Sequence, residues 1–240
     1  ATTEIYTLSP TRRSSDLEEI DDFAYSLSHD LRTPLRGIDG FSSVLIEDYS
    51  HLLDQSAIQH LHSIRQDAQK LGVVLDALHG LSNVSRKDIV LGRTNLSELA
   101  RAILESNISA DSLPNVSYAV QPDLYALCDK KLVSIALEHL IANAIKFSGK
   151  RDDPSIEFGV IQREGVPTFF VRDNGIGFNM DYVNKLFHNF QRLHTNTDFE
   201  GLGIGLATVR RIVIKHGGKI WAESSPGKGA TFYFTLTRKL

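Results

Sequence analysis

His29 and Asp30 form the adjacent pair of side chains with the clearest capacity for nucleophilic chemistry. A carboxylate that hydrogen-bonds one imidazole nitrogen fixes the tautomer and makes the other nitrogen a better nucleophile. On a helix, a rotation of roughly 200° separates His29 from the apolar Leu27 and Leu31, so we expect the imidazole to face solvent. Pro34 removes a backbone donor and is expected to bend the helix just beyond the pair. An ordinary surface histidine is the alternative interpretation.

A second polar pair, Asn143 and Lys146, lies on a predicted helix. The apolar positions of that helix are Leu137, Leu140, Ile141, Ala144 and Ile145. Asn143 therefore lies on a different face. An amide oxygen is a hard ligand that suits Mg²⁺, and a lysine one turn along can meet a phosphate. The two residues would equally suit a solvated helix face.

Asp173 opens a glycine-containing segment, Asp173–Phe178, directly after an apolar run that predicts a strand. A carboxylate at a strand end can accept a hydrogen bond from the amino group of adenine. Glycines at 175 and 177 would let a ligand approach the backbone. A tight turn between a strand and a helix favours the same residue types, so both interpretations stay open.

Two further glycine clusters follow. The first contains Gly201, Gly203 and Gly205. It opens a predicted helix over 202–216, and free amides at a helix N-terminus attract anions, which predicts a phosphate cradle. Its spacing differs from the dinucleotide-binding fingerprint, and no Walker lysine is present. The second cluster contains Gly227 and Gly229, with Thr231 just beyond, and a simple hairpin turn is its alternative interpretation.

Two amphipathic helices are predicted to position His29. Apolar residues recur in steps of three and four from Leu17 to Leu45 and again from Ala57 to Leu78. Such a hairpin exposes an apolar stripe that it cannot cover alone, so we expect two copies to form a four-helix bundle. Residues 17–86 are thus predicted to form a homodimer. Residues 1–16 lack this periodicity and are interpreted as a linker or as non-native sequence.

Residues 87–240 show a mixed pattern that predicts an α+β domain, with helices on one face of a sheet. The predicted helices are 95–106, 130–147 and 202–216, and the predicted strands are 156–161, 168–172, 219–223 and 230–236. The whole chain is therefore expected to be α+β, a helical hairpin followed by an α/β sandwich.

The segment Ser28–Leu35 reads Ser-His-Asp-Leu-Arg-Thr-Pro-Leu and resembles the acceptor box of histidine kinases. The resemblance implies that His29 is phosphorylated, that Asp30 is its acid/base helper, and that Thr33 orients water when the kinase dephosphorylates its partner. The hydroxyl of Thr33 can equally bond a carbonyl within the helix.

The order of the remaining segments resembles the ATPase domain shared by gyrase, the Hsp90 chaperones, histidine kinases and MutL. This resemblance implies that the chain binds ATP and Mg²⁺, with Asn143 contacting the metal and Lys146 a phosphate. It also implies that Asp173 contacts adenine and that Gly175 and Gly177 shape the adenine pocket. The phosphates would be held by Gly201, Gly203 and Gly205, and the rim completed by Gly227, Gly229 and Thr231.

The segment 186–194 resembles the phenylalanine box of histidine kinases, and its amino-acid sequence is similar to that of phytochrome-type kinases. The resemblance implies that Phe187 and Phe190 anchor a mobile lid. Arg192 would bring positive charge to the γ-phosphate, with a surface salt bridge as the alternative. In one departure, His139 stands where many members of the family carry asparagine, which predicts an altered affinity for ATP.

Composition limits the other possibilities. The net charge of −3 gives no global basic field, so we expect neither nucleic acid nor an anionic membrane surface as a partner. The single cysteine, Cys128, excludes an internal disulfide and suits the cytoplasm. No apolar run approaches the roughly 20 residues of a membrane span. A sensor domain is expected to lie outside this sequence.

These features predict that the chain phosphorylates His29 from ATP and passes the phosphoryl group to an aspartate of a response regulator receiver domain. An ATPase of the gyrase or Hsp90 kind is one alternative, in which Glu138 would activate water. A degenerate kinase that binds nucleotide and acts as a dimeric scaffold is the other.

Overall fold

The computed structural model of the chain describes residues 10–86, 88–110, 116–188, 191 and 203–236. The chain divides into two compact units, Ala1–Arg86 and Lys87–Leu240. The first is helical, and the second combines helices with two sheets.

The first unit is an antiparallel hairpin of two long helices, α1 (Pro10–Tyr49) and α2 (Gln55–Arg86), joined through a short 3₁₀ turn at Ser50–Leu52. Helix α1 begins at Pro10, so residues 10–16 are helical, while the interpretation of residues 1–16 as a linker or non-native sequence stays a prediction. The carboxylate of Asp54 accepts a hydrogen bond from the Ala57 amide at 2.7 Å and so caps the start of α2.

Small side chains let the two helices of the hairpin approach each other closely. Ser28, Ser42 and Ala68 are buried, together with Leu75 and Val84. Polar contacts fix the register, because Asp39 on α1 accepts hydrogen bonds from Arg65 at 3.1 Å and from Gln69 at 2.9 Å, both on α2. Each of these partly exposed pairs contributes little to the stability of the hairpin, most of which comes from the burial of apolar side chains.

The second unit contains seven strands and three α-helices in its described part. In chain order these are β1 (Gly92–Asn95), α3 (Leu96–Ala110), β2 (Ser117–Val120), β3 (Tyr125–Cys128), α4 (Lys130–Ser148), β4 (Ser155–Arg163), β5 (Val166–Asp173), α5 (Gly205–Lys215), β6 (Ile220–Ser224) and β7 (Ala230–Phe234). A 3₁₀ helix, Met180–Lys185, follows the glycine segment after β5.

Five strands form the main sheet in the order β2-β4-β5-β7-β6, and β1 pairs with β3 in a small separate sheet. The pairs β4–β5, β5–β7 and β6–β7 are antiparallel, whereas β2 runs parallel to β4. In this register Asp173, the last residue of β5, lies opposite Ala230, the first residue of β7. The two glycine-rich segments that leave these strand ends are therefore neighbours.

The helices pack on one face of the sheet. Apolar side chains at alternate positions of β4 and β5, such as Ile156, Phe158 and Val171, are almost fully buried beneath α4. The opposite face carries charged side chains over aromatic rings: Arg172 bonds Glu157 at 2.9 Å and lies over Phe170. The unit is therefore a two-layer sandwich with a single apolar core.

Helix α4 is anchored at its N-terminus by a buried polar cluster. The carboxylate of Asp129 accepts the amide hydrogens of Lys131 and Leu132, while the Asp129 amide donates to Nε2 of the buried His216 at 3.0 Å. Capping of this kind typically contributes about 1 kcal/mol. The cluster joins the start of α4 to the end of α5, and so holds these helices in register.

The predicted fold class, a helical hairpin followed by an α/β sandwich, is confirmed. Strands β1, β2 and β3 were not predicted, because each has only four residues and too little periodicity to detect. Helix α5 begins at Gly205 and not at residue 202, since Gly203 has a φ of +70° that a right-handed helix cannot contain. None of the helices described has the length and apolar character needed to cross a membrane.

Candidate functional site

The predicted acceptor segment lies within α1. Asp30 and Thr33 are exposed, and the helix continues through Pro34. The backbone of His29 is helical, whereas its side chain lies outside the described part of the structure, so its predicted orientation stays a prediction. One turn beyond, Arg32 pairs with Asp76 of α2 at 2.7 Å and so ties this segment to the second helix.

Asp173 is the most perturbed acid in the described part of the second unit. It is buried at the end of β5, and its Oδ1 accepts the amide hydrogens of Gly175 at 2.8 Å and of Ala230 at 3.3 Å. Burial raises the pKa of Asp173 to about 6, although these two hydrogen bonds lower it. A group that is costly to keep ionised and lies at the meeting point of two loops is typical of a functional site.

The second carboxylate oxygen of Asp173, Oδ2, accepts no hydrogen bond from the described residues. Within the described residues, both hydrogen bonds to this side chain end on Oδ1, and Oδ2 is not among the buried atoms that lack a partner. Oδ2 therefore keeps acceptor capacity that no described residue uses, and the bonds to Oδ1 fix the orientation of the carboxylate. It suits a ligand that presents an N–H group.

Three glycines bring backbone segments together around Asp173, as shown by what a Cβ atom would meet at each position. A Cβ at Gly175 would lie 2.4 Å from the Phe147 carbonyl oxygen, and one at Gly177 would lie 2.1 Å from that of Ser225. A Cβ at Gly229 would lie 2.0 Å from the carbonyl oxygen of Asp173 itself. Only glycine permits such contacts, so the end of α4, the segment after β5 and the β6–β7 turn converge here.

Helix α4 carries the other predicted residues toward this point. His139 lies against α5, since a Cβ at Gly205 would be 3.2 Å from its Nδ1. Phe147 lies two turns further along α4 and contacts Gly175, as described above. Asn143 is half-buried and lies midway between these contacts, on the same side of the helix as His139. Its amide therefore lies between the two glycine-rich regions.

Two basic side chains of α4 have distinct environments. Burial lowers the pKa of His139, although the nearby Glu138 raises it, so the site favours the neutral imidazole. Lys146 is half-buried, and its Nζ lies 5.0 Å from the centre of the Phe147 ring. Glu138 is exposed and accepts a hydrogen bond from Ser134 at 3.0 Å. The polar side of α4 thus presents one amide, one neutral imidazole and one ammonium group.

The remaining predicted residues divide into three groups. Gly203 approaches the Gln191 carbonyl, where a Cβ would lie 2.6 Å away, and Phe187 is half-buried beside the buried Leu186. Phe190, Arg192 and Gly201 lie outside the described residues. Gly227 has a φ of +77° at the tip of the β6–β7 turn, which suits glycine.

Thr231 is not brought to the site. It lies one residue beyond Ala230 on β7, so its side chain points to the opposite face of the sheet from that of Asp173. Its hydroxyl there accepts a hydrogen bond from Arg172 at 3.3 Å. Alternation along a strand therefore removes Thr231 from the predicted rim, and the amide of Ala230 contacts Asp173 in its place.

Two side chains that build the site were not predicted from the sequence. Arg151, in the loop after α4, donates hydrogen bonds to the carbonyl oxygens of Gly175 and Gly227. Ser224 accepts from the Phe178 amide at 2.9 Å and donates to the Gly229 carbonyl at 2.7 Å. Neither residue belongs to a recognisable motif, and their roles depend on long-range contacts that no local pattern reports.

Comparisons with known families agree with this arrangement. Residues 19–85 match the His Kinase A (phospho-acceptor) domain, and residues 128–240 match the family described as histidine kinase-, DNA gyrase B-, and HSP90-like ATPase. The chain belongs to the histidine kinase family. The acceptor domain before the ATPase domain excludes assignment to the gyrase or Hsp90 branch, which the sequence had left open.

Among curated relatives, the histidine kinase chain is 38% identical over 224 residues to cyanobacterial phytochrome B of Nostoc sp. strain PCC 7120. It is 36% identical over 219 residues to the methanogenesis regulatory histidine kinase FilI of Methanothrix harundinacea. Each alignment covers 91% of this chain, but only 29% of the first relative and 24% of the second. The chain therefore spans less than a third of their length.

A solved structure shares the fold. Full-length ShkA in complex with AMPPNP superimposes with a TM-score of 0.65 at 24% identity, covering 90% of this chain and 45% of that one. This likeness shows that the fold is shared.

Proposed function

We propose that the chain uses Mg²⁺-ATP to phosphorylate His29 and then transfers the phosphoryl group to an aspartate of a response regulator. The observation that carries this proposal is Asp173, a buried carboxylate of which only one oxygen is bonded by described residues. It is enclosed by glycines whose Cβ atoms would collide with neighbouring backbone. That arrangement suits the amino edge of adenine, a flat ligand that needs close backbone approach. The acceptor helix supplies the second substrate, a histidine.

The polar side of α4 suits the phosphate end of the nucleotide. Asn143 offers a hard oxygen ligand, and Lys146 offers positive charge one turn along. Mg²⁺, when bound, would be held by Asn143 and would neutralise phosphate charge. The backbone around Gly203 and Gly205, at the start of α5, provides amide hydrogens that can receive phosphate oxygens. Gly201, Phe190 and Arg192 retain their predicted roles as part of this proposal.

The proposed transfer is a single displacement. An unprotonated nitrogen of His29 attacks the γ-phosphorus, a P–N bond forms, and the P–O bond to the β-phosphate breaks with ADP leaving. Asp30 accepts the hydrogen bond of the other imidazole nitrogen and stabilises the positive charge that the ring acquires. Since the transition state is loose, positioning and charge neutralisation provide most of the rate enhancement.

The response regulator is inferred from the family, and Thr33 is proposed to orient water when the phosphoryl group is removed from that partner. Thr33 is exposed on α1, one turn from His29, as this role requires. We also infer a cytoplasmic location, where ATP is available. We also propose that a sensor domain is joined to this core in a longer protein, since the chain spans less than a third of the length of these relatives.

We further propose that the hairpin dimerises. Leu31, Ile38 and Leu45 recur at seven-residue intervals on α1 and are 38 to 44% exposed. Ile64 and Leu71 recur at the same interval on α2 and are 47% and 45% exposed. A seven-residue apolar repeat is the pattern of a helical seam that packs against other helices. A second copy would cover both stripes and complete a four-helix bundle.

Replacing Ile38 with glutamate is expected to break the proposed dimer. The charge would be buried twice, once from each copy, so we expect the dimer dissociation constant to rise at least about 100-fold. Analytical ultracentrifugation over a concentration series measures this constant. Val73→Glu is a matched control, because Val73 is 57% exposed on α2 but lies outside the seven-residue series. A dimer equally stable in both variants would contradict the proposed seam.

Replacing His139 with asparagine is expected to tighten binding of Mg²⁺-ATP by about three- to tenfold, because an amide oxygen is a harder ligand than imidazole. Calorimetric titration with ATP measures the change, and the gain should vanish when EDTA removes the metal. His60→Asn, on the exposed side of α2, is the control. Unchanged or weaker metal-dependent binding would show that this position does not face the metal.

The proposed function is tested by incubating the purified chain with γ-labelled ATP and Mg²⁺. We expect covalent label that is lost in acid and survives in alkali, as a phosphorus–nitrogen bond requires. Acid-stable label would place the phosphoryl group on a hydroxyl side chain and contradict the proposal. Binding of ATP without any labelling would instead identify a nucleotide-binding scaffold.

A further inference from the structure

Arg151 occupies an unusual position in the loop that follows α4. It is exposed, and it has no place in the proposed chemistry. One terminal guanidinium nitrogen, Nη2, donates to the carbonyl oxygen of Gly175 at 3.3 Å and also to that of Gly227. A single side chain therefore joins the segment after β5 to the turn between β6 and β7.

Ser224 links these two segments at Phe178 and Gly229, whereas Gly175 and Gly227 have no side chain of their own that could do so. Gly175 cannot carry a Cβ without colliding with Phe147, and Gly227 lies at a φ of +77°. One backbone hydrogen bond, from the Gly227 amide to the Ile176 carbonyl at 2.6 Å, joins them directly. The guanidinium adds a charged donor to this junction, and hydrogen bonds from charged groups are stronger than those between neutral groups.

The base of Arg151 is itself held in place. Its amide donates to the Ser148 carbonyl at 2.8 Å, which fixes the loop to the end of α4. Asn174, the neighbour of Gly175, donates to the Asp153 carbonyl at 2.7 Å and accepts from the Ser155 amide at 2.9 Å. The Arg151 side chain thus extends from an anchored loop, and its length sets the distance between the segment at Gly175 and the turn at Gly227.

We propose that Arg151 is a positioning residue that shapes the purine side of an adenine-nucleotide pocket. By holding the carbonyls of Gly175 and Gly227, it fixes the segments that leave the strand ends at Asp173 and Ala230, and with them the direction of Asp173 Oδ2. The inference rests on the proposed nucleotide site. Both described bonds of its guanidinium go to neutral carbonyls, so its effect is exerted through the backbone.

The test compares Arg151→Met with Arg163→Met in the full chain, using titration with ADP and with ATP. Arg163 is a matched control, since it is an exposed arginine of the same unit that bonds Glu223 on the far face of the sheet. We expect Arg151→Met to weaken ADP and ATP by the same factor, about tenfold. Arg151→Lys should fall between wild type and the methionine variant, because its ammonium group keeps a donor on a less suitable geometry.

Kinetics separate positioning from general destabilisation. In Arg151→Met the ATP concentration for half-maximal labelling should rise about tenfold, whereas the rate at saturating ATP should stay within about twofold of wild type. Equal losses in the Arg151 and Arg163 variants, or unchanged nucleotide binding in Arg151→Met, would overturn the inference. So would a loss for ATP that exceeds the loss for ADP, since that would indicate attraction of the terminal phosphate. Failure of the wild-type chain to bind nucleotide would instead overturn the proposed function.

Discussion

His29→Gln is expected to lower the covalent labelling of the chain by γ-labelled ATP at least about 100-fold, because an amide nitrogen is not a nucleophile and cannot form the phosphoramidate. Binding of ATP should be unchanged, since the residues proposed to hold the nucleotide lie in the second unit. Labelling measured by gel autoradiography and binding measured by calorimetry give the two values. The loss should therefore affect transfer alone.

His60→Gln is the matched control, because His60 is an exposed histidine of the same hairpin, bonded to Ser56 at 3.4 Å. Its labelling should equal that of wild type. Label that survives His29→Gln would move the acceptor elsewhere, and weakened nucleotide binding in that variant would contradict a role limited to transfer. His29 is one of several histidines in the chain, so this comparison decides which of them receives the phosphoryl group.

Asp173→Asn is expected to abolish detectable ATP binding while making the second unit more stable at neutral pH. The carboxylate Oδ2 would become an amide donor that faces the donor group of adenine, so the contact would change from attraction to repulsion. Oδ1 of asparagine can still accept from the amides of Gly175 and Ala230, and the fold therefore keeps both hydrogen bonds. Loss of affinity and gain of stability should appear in the same variant.

The expected gain follows from the raised pKa of Asp173, about 6 compared with an ordinary value of 3.8. Because the folded state binds this proton more tightly than the unfolded state, stability from the group is fully present below pH 4 and is lost as pH rises through 6. The loss at pH 7 to 8 is about 3 kcal/mol, which asparagine avoids because it does not ionise. The difference between wild type and variant should thus shrink toward pH 4.

Chemical denaturation of the full chain can resolve this effect, because the single tryptophan, Trp221, lies on β6 and reports unfolding of the second unit. Asp129→Asn is the control of opposite sign. Burial raises the pKa of Asp129, but hydrogen bonds from the amides of Val90, Leu132 and Lys131 lower it by more, so the pKa in the folded state lies below its ordinary value. The charge of Asp129 therefore stabilises the fold at pH values above the unfolded pKa. A loss of stability in Asp173→Asn at pH 8 would show that burial does not penalise its charge.

Mixing the two inactive chains, His29→Gln and Asp173→Asn, tests how the units cooperate in the proposed dimer. A mixed dimer combines one intact nucleotide site with one intact acceptor on different chains. Restored labelling of the Asp173→Asn chain would show transfer between subunits, whereas no restoration, in mixtures shown to exchange chains, would show transfer within one subunit. Either result refines the proposal without changing the residues that carry it.

A binding-site residue that lowers the stability of the fold is physically expected. An ionised carboxylate inside the domain is useful because it accepts a charge-assisted hydrogen bond from a ligand, and the same burial that strengthens this bond disfavours the charge when no ligand is present. Nucleotide binding should therefore raise the free energy of unfolding of the wild-type domain by more than the new contacts with the nucleotide alone would suggest.

The sequence by itself determined the helical hairpin, the α+β class and the order of the motif segments. Helical periodicity is a local property, so apolar residues such as Leu31, Ile38 and Leu45 predicted, without any tertiary information, an apolar stripe that the hairpin leaves uncovered. The acceptor box around His29 was likewise readable, because its residues are contiguous and lie on one helix. Short strands such as β1 escaped detection, since four residues give too few alternations to separate signal from chance.

Tertiary structure alone decided which side chains meet at the candidate site. The register of β5 against β7 turned Thr231 to the far face and placed the amide of Ala230 on Asp173. The raised pKa of Asp173 depends on burial by residues distant in sequence, and the two contacts of Arg151 span 24 and 76 positions. A sequence pattern encodes what neighbours along the chain can do, whereas burial, facing and long-range hydrogen bonds arise only when the sheet and helices assemble.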